Sequence, residues 1–344
     1  MNKKSGRTTI YDVAKAAGVS PSTVSRVFND YDNASITSAT RKNVLAVAKE
    51  LNYLRLRRLS PDEREGKRVA VIVPNLMNPY YVPLVSGMEA VINEADMLMV
   101  LYNSRNDPDL ETRYANQIRS SSFTGAIIAS ICNDTSHIKR LIDERVKVIA
   151  LEQQIDLDCS KVYFNYEKGA YMAVTHLIEQ GRKKIAFISS PLTRPSRRQV
   201  YVGYKNALRD HDIPLMPEYV CIAADEEAKP NELYEYGNGI RQVNTLLDAA
   251  LEIDGIFCIN DITAIGAIHA LETRQILVPK QISVVGFDNI LYSEMVTPQL
   301  TTIEQSGYEL GTVAANLLIQ KIRDNQCENI SITLEPKLIV RDSG

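Results

Sequence analysis

The stretch Ser20-Pro21-Ser22-Thr23-Val24-Ser25-Arg26 places four hydroxyls and a guanidinium within seven positions. Hydroxyls of this kind reach phosphate oxygens, and a guanidinium can grip O6 and N7 of guanine in bidentate fashion. Elsewhere the residues of catalysis are dispersed. The histidines, His137, His176, His211 and His269, stand far apart, and each reads as a surface or packed residue. No GxSxG, HExxH, GxxxxGK[ST] or strand-anchored GxGxxG is present. Cys132, Cys159, Cys221, Cys258 and Cys327 show no CxxC spacing and read as buried or free thiols of a reducing compartment. These residues argue against an enzyme and call for no cofactor and no metal.

The hydroxyl-rich stretch needs a scaffold, and its neighbours supply one. Thr9 caps a helix running through Asp12, Val13, Ala14, Ala16 and Ala17, with Asp12 at the positive end of the dipole. Gly18 ends it, because glycine enters the left-handed region cheaply. Val19 plugs the turn, Ser20 caps a second helix, and Pro21 takes its first position. That helix runs from Ser22 to about Asn29, with Val24 and Val27 inward and Thr23, Ser25 and Arg26 outward. A third is expected from Thr37 or Ser38 to Leu51, burying Val44, Ala48 and Leu51. Two helices about a tight glycine turn form a helix-turn-helix, whose second helix can enter a major groove.

Charge agrees with that reading. Residues 1–68 hold 14 Lys and Arg against 7 Asp and Glu, although the whole chain carries −3. A basic head on an acidic body suits a polyanion at one end only. No apolar segment follows Lys3 and Lys4, and no run is long enough to span a bilayer, so a cytoplasmic location and no membrane partner are expected.

The body alternates apolar runs with amphipathic segments. The runs are RVAVIV (68–73), MLMVLY (97–102), GAIIAS (125–130), VKVIAL (146–151), KIAFIS (184–189), DGIFCI (254–259) and ISVVGF (282–287). They read as strands buried on both faces of parallel sheets, in a body long enough for two doubly wound α/β lobes. Residues 54–68, charged and containing Pro61 and Gly66, read as a linker.

The segment TIYDVAKAAGVSPSTVSRVFN closely resembles the N-terminal signature of the lactose-repressor family of bacterial transcription regulators. TRKNVLAVAKELNY, VAVIVPNLMNPYY, NYEKGAYMAVTHLIEQGRKKIAFI, FCINDITAIGAIHAL, ISVVGFDNI, LTTIEQSGYELG and LIVR follow in the family's order, so the resemblance covers nearly the whole chain. It implies a helix-turn-helix head (1–53), a linker (54–68) and a core of periplasmic-binding-protein type (69–344). Lobe 1 would hold about 69–164 and 293–327, and lobe 2 about 165–292 and 328–344, with crossings near Asn165, Asn289–Tyr292 and Cys327. It also implies a homodimer, or a tetramer built from it, on a roughly palindromic operator, with a small effector between the lobes. The function implied is a ligand-controlled regulator, first a repressor answering to a sugar or sugar derivative. The alternative is control by a protein corepressor or by a non-sugar metabolite such as a nucleobase.

Carried over residue by residue, the resemblance gives Pro21 and Ser22 the variable base-reading positions, and Thr23, Ser25 and Arg26 further operator contacts. Thr9, Ser20 and Asn29 would hold the DNA backbone. In the core, Asn78, Tyr80 and Tyr81 follow the first strand, Asn260 and Asp261 follow DGIFCI, and Asp288 follows ISVVGF. These are carboxyl ends of parallel strands, where open α/β sheets bind ligands. The chain departs from the family at three points. The minor-groove leucine has only Leu56 or Leu59 as counterpart, with Pro61 close behind, while Arg55, Arg57 and Arg58 can hold the backbone. An effector-binding arginine of many members is Val200 here, with Arg197 or Arg198 as substitutes. The chain has no tryptophan, so a stacking ring must be Tyr or Phe, with Phe164 a candidate.

Overall fold

Thr9 opens α1 (Ile10–Ala17) with a reciprocal cap. Its hydroxyl oxygen accepts from the Asp12 backbone N–H, and the Asp12 carboxylate accepts from the Thr9 N–H at 2.7 Å. Gly18 closes the helix at φ 66° with its N–H on the Ala14 carbonyl. Ser20 caps α2 (Pro21–Phe28) by accepting from the Thr23 N–H at 3.1 Å, and Thr37 caps α3 (Ser38–Glu50) by accepting from the Thr40 N–H at 3.2 Å. The core between them is Val13, Ala14, Ala17, Val24, Val27, Val44 and Ala48, small side chains that let short helices approach. The Asn43 amide donates to the Ala17 carbonyl at 3.1 Å and ties α3 to the end of α1. Leu51, expected to be buried, is 37 % exposed, because it follows the last helical turn rather than continuing the Val44–Ala48 stripe.

This computed structural model describes residues 9–28, 36–51, 53, 68–152, 157–224, 234–324 and 328–344. The chain forms two units, Met1–Asp62 and Glu63–Gly344. Of the candidates named above, Asn29, Arg55, Arg57, Arg58 and Leu59 lie outside the described residues, as do Leu56, Pro61 and Cys327. Arg68, assigned to the linker from sequence, begins the first strand of the second unit.

The second unit holds two parallel sheets. The first is built from β1 (Arg68–Val73), β2 (Leu98–Asn103), β3 (Gly125–Ile128), β4 (Lys147–Leu151) and β5 (Ser160–Phe164). Its helices are α4 (Tyr81–Glu94), α5 (Pro108–Arg119) and α6 (Ser136–Asp143). The second sheet is built from β6 (Ile185–Ser189), β7 (Val220–Ile222), β8 (Gly255–Cys258) and β9 (Ser283–Val285). Around it lie α7 (Tyr166–Glu179), α8 (Pro195–Asp210), α9 (Tyr234–Asp248) and α10 (Asp261–Thr273). The strand orders are β11-β5-β4-β3-β1-β2 and β7-β6-β8-β9, where β11 is Ser331–Leu334. Strands β5 and β7 escape the apolar-run search. SKVYF alternates buried and half-exposed residues, and β7 is three residues long and partly exposed.

The chain passes between the sheets three times. The first passage is at Asn165, directly after β5. The second comes after β10 (Thr302–Glu304), at Gln305 and Ser306, not near Asn289–Tyr292. Residues 293–304 stay with the second sheet because Gly286 and Asp288 donate to Thr301 and Ile303 at 2.9 and 2.8 Å. After α11 (Gly307–Arg323), β11 pairs parallel with β5, so 328–334 belongs to the first sheet. The third passage therefore follows Leu334 rather than Cys327, and β12 (Lys337–Ile339) then pairs antiparallel with β10. Helices α4 and α11 touch backbone to backbone. A Cβ on Gly87 would lie 2.3 Å from the Tyr308 carbonyl oxygen, and one on Gly311 2.1 Å from that of Leu84. Among the described residues no helix is long and apolar enough to cross a membrane.

Candidate functional site

In the first unit, Ser20, Pro21, Ser22 and Arg26 are exposed at the start and along one face of α2, with Thr23 and Ser25 half-buried beside them. The Ser20 hydroxyl lies 2.7 Å from that of Ser22 and 2.9 Å from that of Thr23, so three hydroxyls cluster at the helix tip. Val24 and Val27 anchor the opposite face. Thr9 is exposed, its hydroxyl bound to the Asp12 carboxylate at 2.6 Å.

In the second unit, a cleft of about 1280 Å³ opens at the carboxyl ends of both sheets. Asn75, Asn78, Asn103 and Arg105 line the side of the first sheet, and Arg194, Arg197, Glu235 and Asn260 the side of the second. Arg197 pairs with Glu235 at 2.9 Å. Arg194 donates to the Asn106 side chain from the opposite wall. Asn260 is also a helix cap, accepting from the Thr263 N–H at 2.8 Å, so it serves the fold and the cleft together.

Adjoining the cleft, and sharing Asn78, Arg194, Arg197 and Asn260 with it, is a smaller chamber of about 80 Å³, also lined by Tyr80, Tyr81, Glu152, Asp288 and Gln305. Tyr80 and Tyr81 are buried and pack edge to face at 5.1 Å. The Tyr81 hydroxyl donates to Glu152 Oε2 at 3.1 Å. Burial pushes the Glu152 carboxyl above the usual range, against the opposing pull of the Tyr80 and Tyr81 hydroxyls and of Arg194. Asp288 accepts from the Gln305 side-chain amide; burial first, then the charges of Asp261 and Glu152, push its pKa well up. Glu152 Oε1, the Tyr80 hydroxyl and Gln305 Oε1 are buried without a hydrogen-bond partner. Backbone strain gathers here too: Arg105, Asn106, Glu152 and Asp288 have φ of 53°, 58°, 66° and 132°.

Three residues expected at the effector site lie elsewhere. Phe164 is a core ring, 1 % exposed, packed edge-on to Tyr166 and Phe287. It is the last residue of β5, and the pleat turns it into the apolar layer. Asp261 is fully buried and already occupied. It accepts from the Ile290 N–H at 2.9 Å, the Ser293 hydroxyl at 2.6 Å and the Thr302 hydroxyl. It braces the second sheet. Arg198 is exposed and donates to the carbonyls of Leu192 and Thr193, holding the loop before α8. Glu152, Arg194, Glu235 and Gln305 were not foreseen. Glu152 directly follows the run VKVIAL, so the strand-end rule that picked Asn78 and Asp288 would have found it. Gln305 carries no such signal.

A second buried carboxylate stands behind the cleft wall. Glu111 accepts from the Ser130 hydroxyl at 2.5 Å and the Ile131 N–H at 3.0 Å, and lies 2.8 Å from His137 Nε2. Cys132, on the cleft surface, completes this group; one potential ligand atom from each of Glu111, Cys132 and His137 lies within 4.8 Å of the others. Burial, with Glu111 adding to it, pushes the thiol up to about 12, so it is no nucleophile at neutral pH.

Residues 9–55 match the family described as bacterial regulatory proteins, lacI family, and residues 174–344 match a periplasmic binding protein-like domain. The chain is 33 % identical over 340 residues to catabolite control protein A of Priestia megaterium, covering 97 % of this chain and 98 % of that one. The chain belongs to the lacI family. It is a DNA-binding transcription regulator. This lacI-family chain is also 30 % identical over 344 residues to the transcriptional repressor PurR of Mannheimia succiniciproducens, covering 97 % and 98 % of the two chains. The solved complex of the transcriptional regulator CelR with cellobiose superposes with a TM-score of 0.72 at 26 % identity, over 98 % of this chain and all of that one.

Proposed function

We propose that this regulator is a cytoplasmic homodimeric repressor whose operator affinity is set by a small polar ligand, first a sugar or sugar derivative, held in the cleft of the second unit. The observation that carries this is the cleft itself: amides, guanidinia and carboxylates converge at the carboxyl ends of two parallel sheets, in a chain that also bears a helix-turn-helix. Neighbouring hydroxyls of a sugar suit that lining. The CelR complex with cellobiose is a precedent for a sugar ligand on this fold. A nucleobase is the second reading, favoured by Tyr234, Tyr236 and Tyr292 on the cleft wall, whose rings can stack a flat ligand.

At the operator, α2 reads the major groove. Pro21, Ser22, Thr23, Ser25 and Arg26 face base edges and phosphates, and Thr9, Ser20 and Asn29 hold the backbone. Arg26→Ala is expected to weaken operator binding by about 1–3 kcal/mol while leaving binding to random duplex nearly unchanged. Fluorescence-anisotropy titration of both duplexes, with and without a panel of sugars and nucleobases, tests both halves of the reading. Equal loss on both duplexes would remove Arg26 from base reading. No shift of operator affinity with any small molecule would count against ligand control.

A further inference from the structure

Behind the wall of the first sheet, three side chains of different ligating chemistry meet. Glu111 comes from α5, Cys132 from the segment after β3, and His137 from the first turn of α6. One ligand atom from each lies within 4.8 Å of the other two, and all three residues are more than nine-tenths buried. A carboxylate oxygen, an imidazole nitrogen and a thiol sulfur are the donors of zinc and its borderline-soft neighbours; calcium and magnesium take oxygen. The surroundings suit a ligating set as well. The Ser130 hydroxyl and the Ile131 N–H hold the Glu111 carboxylate from behind, as outer partners orient a metal-bound carboxylate. His137 Nε2 lies 2.8 Å from Glu111 Oε1, where an ion can replace the hydrogen bond between them. Ligand atoms around a tetrahedral zinc stand about 3.3–3.6 Å apart, so that pair has to part by about half an ångström and the thiol to swing in. Entry is from the cleft: of the three only Cys132 reaches its surface, and Asp109 and Asp134 on the same lining favour a cation. None of the three lines the smaller chamber.

We infer that Glu111, Cys132 and His137 form a site for a zinc-class divalent ion, which pins α5, α6 and the segment after β3 together. The thiol binds as thiolate and gives its proton to solvent, and the fourth position is left to water from the cleft. Glu111 keeps its bonds from Ser130 and Ile131, so the ion is structural; in the ion-free chain the hydrogen bond between His137 and Glu111 takes its place. The site stands whether or not the cleft takes a small ligand.

Titration of the full chain, reduced and freed of metal by a chelator, with Co²⁺ tests the site. A single bound ion is expected, marked by a thiolate-to-cobalt charge-transfer band in the near ultraviolet that Zn²⁺ bleaches. Cys132→Ser should abolish the band, while Cys221→Ser, on β7 of the second sheet, should leave it. Ser130→Ala removes an orienting hydrogen bond and should weaken Co²⁺ binding about tenfold. Zn²⁺ should raise the melting temperature of wild type and leave that of Cys132→Ser unchanged. Wild-type crystals soaked in Zn²⁺ decide the matter where a variant fails to fold: an anomalous peak bonded to all three residues is the expected result. No band in wild type, a band that survives Cys132→Ser, or zinc found only at other residues overturns the site and leaves the trio a hydrogen-bonded brace.

Discussion

Glu111, on α5, and Glu152, directly after β4, are two buried glutamates close to the cleft, and they are treated in opposite ways. Glu111 lies among Ser130, Ile131 and His137, all within hydrogen-bond distance. Burial works to raise its pKa, but those contacts outweigh it and hold the carboxyl below the usual range. Glu152 receives one hydrogen bond, from Tyr81, keeps one oxygen without a partner and sits at φ 66°. There burial wins, and the carboxyl is pushed up. Burial alone therefore does not distinguish a structural carboxylate from one held ready for a ligand. The number of hydrogen bonds already made does.

The largest effect is expected where the carboxylate is saturated. Glu111→Ala strands the Ile131 N–H and frees His137 and Ser130 inside the fold, and should cost about 3–5 kcal/mol in urea unfolding with little change in slope. A loss under 1 kcal/mol would break the contrast from that side. Glu152→Gln should behave differently. It removes a poorly solvated charge, so unliganded stability at neutral pH should stay level or rise by ~1 kcal/mol while the ligand response weakens. A loss as large as that of Glu111→Ala would make Glu152 structural too.

The smallest effect is in pH, and its sign differs between the two residues. The folded pKa of Glu152, like that of Asp288, is raised, so the folded state holds protons that the unfolded chain has released. Their contribution is greatest below the ordinary carboxylate range and falls as pH climbs from that range through the raised values. Glu111 is depressed, so its contribution is present above the ordinary value and is lost as pH falls through the folded one. Each titrating group can contribute a slope of at most ~1.4 kcal/mol per pH unit. The pH dependence of stability of the Glu152→Gln/Asp288→Asn double variant should be flatter than wild type above the ordinary carboxylate range and unchanged in the acid limb. A flattened acid limb instead would mean that the raised and lowered carboxyls have been assigned the wrong way round.

The head was legible almost to the residue, because its signals are local. Thr9, Gly18, Ser20 and Pro21 act on backbone groups within a few positions of themselves, and the Val24–Val27 spacing sets the buried face. The strands of the core were legible as apolar runs, most of them buried on both faces as expected, although β2, from the run MLMVLY, is a half-exposed strand at the sheet edge. They were missed where SKVYF alternates at β5 or where β7 is short. The second and third passages between sheets were misplaced. Their positions depend on β10 staying beside β9 and on β11 joining β5, pairings over long sequence separation that leave no local mark.

By itself the amino-acid order determined the family, the helix-turn-helix, the parallel α/β class and the strand ends where polar residues gather. The family is carried by the resemblance of whole motifs such as TIYDVAKAAGVSPSTVSRVFN, and the others are written in capping residues and apolar periodicity over short windows. Only the tertiary structure decided which of those polar residues remain open to a ligand. Asp261 and Asp288 look alike at the ends of DGIFCI and ISVVGF, yet Asp261 is enclosed by Ile290, Ser293 and Thr302, while Asp288 faces a chamber with partnerless acceptors. The physical reason is that a carboxylate's fate is set by the donors that folding brings to it from distant segments, and its own neighbours in the chain do not encode them.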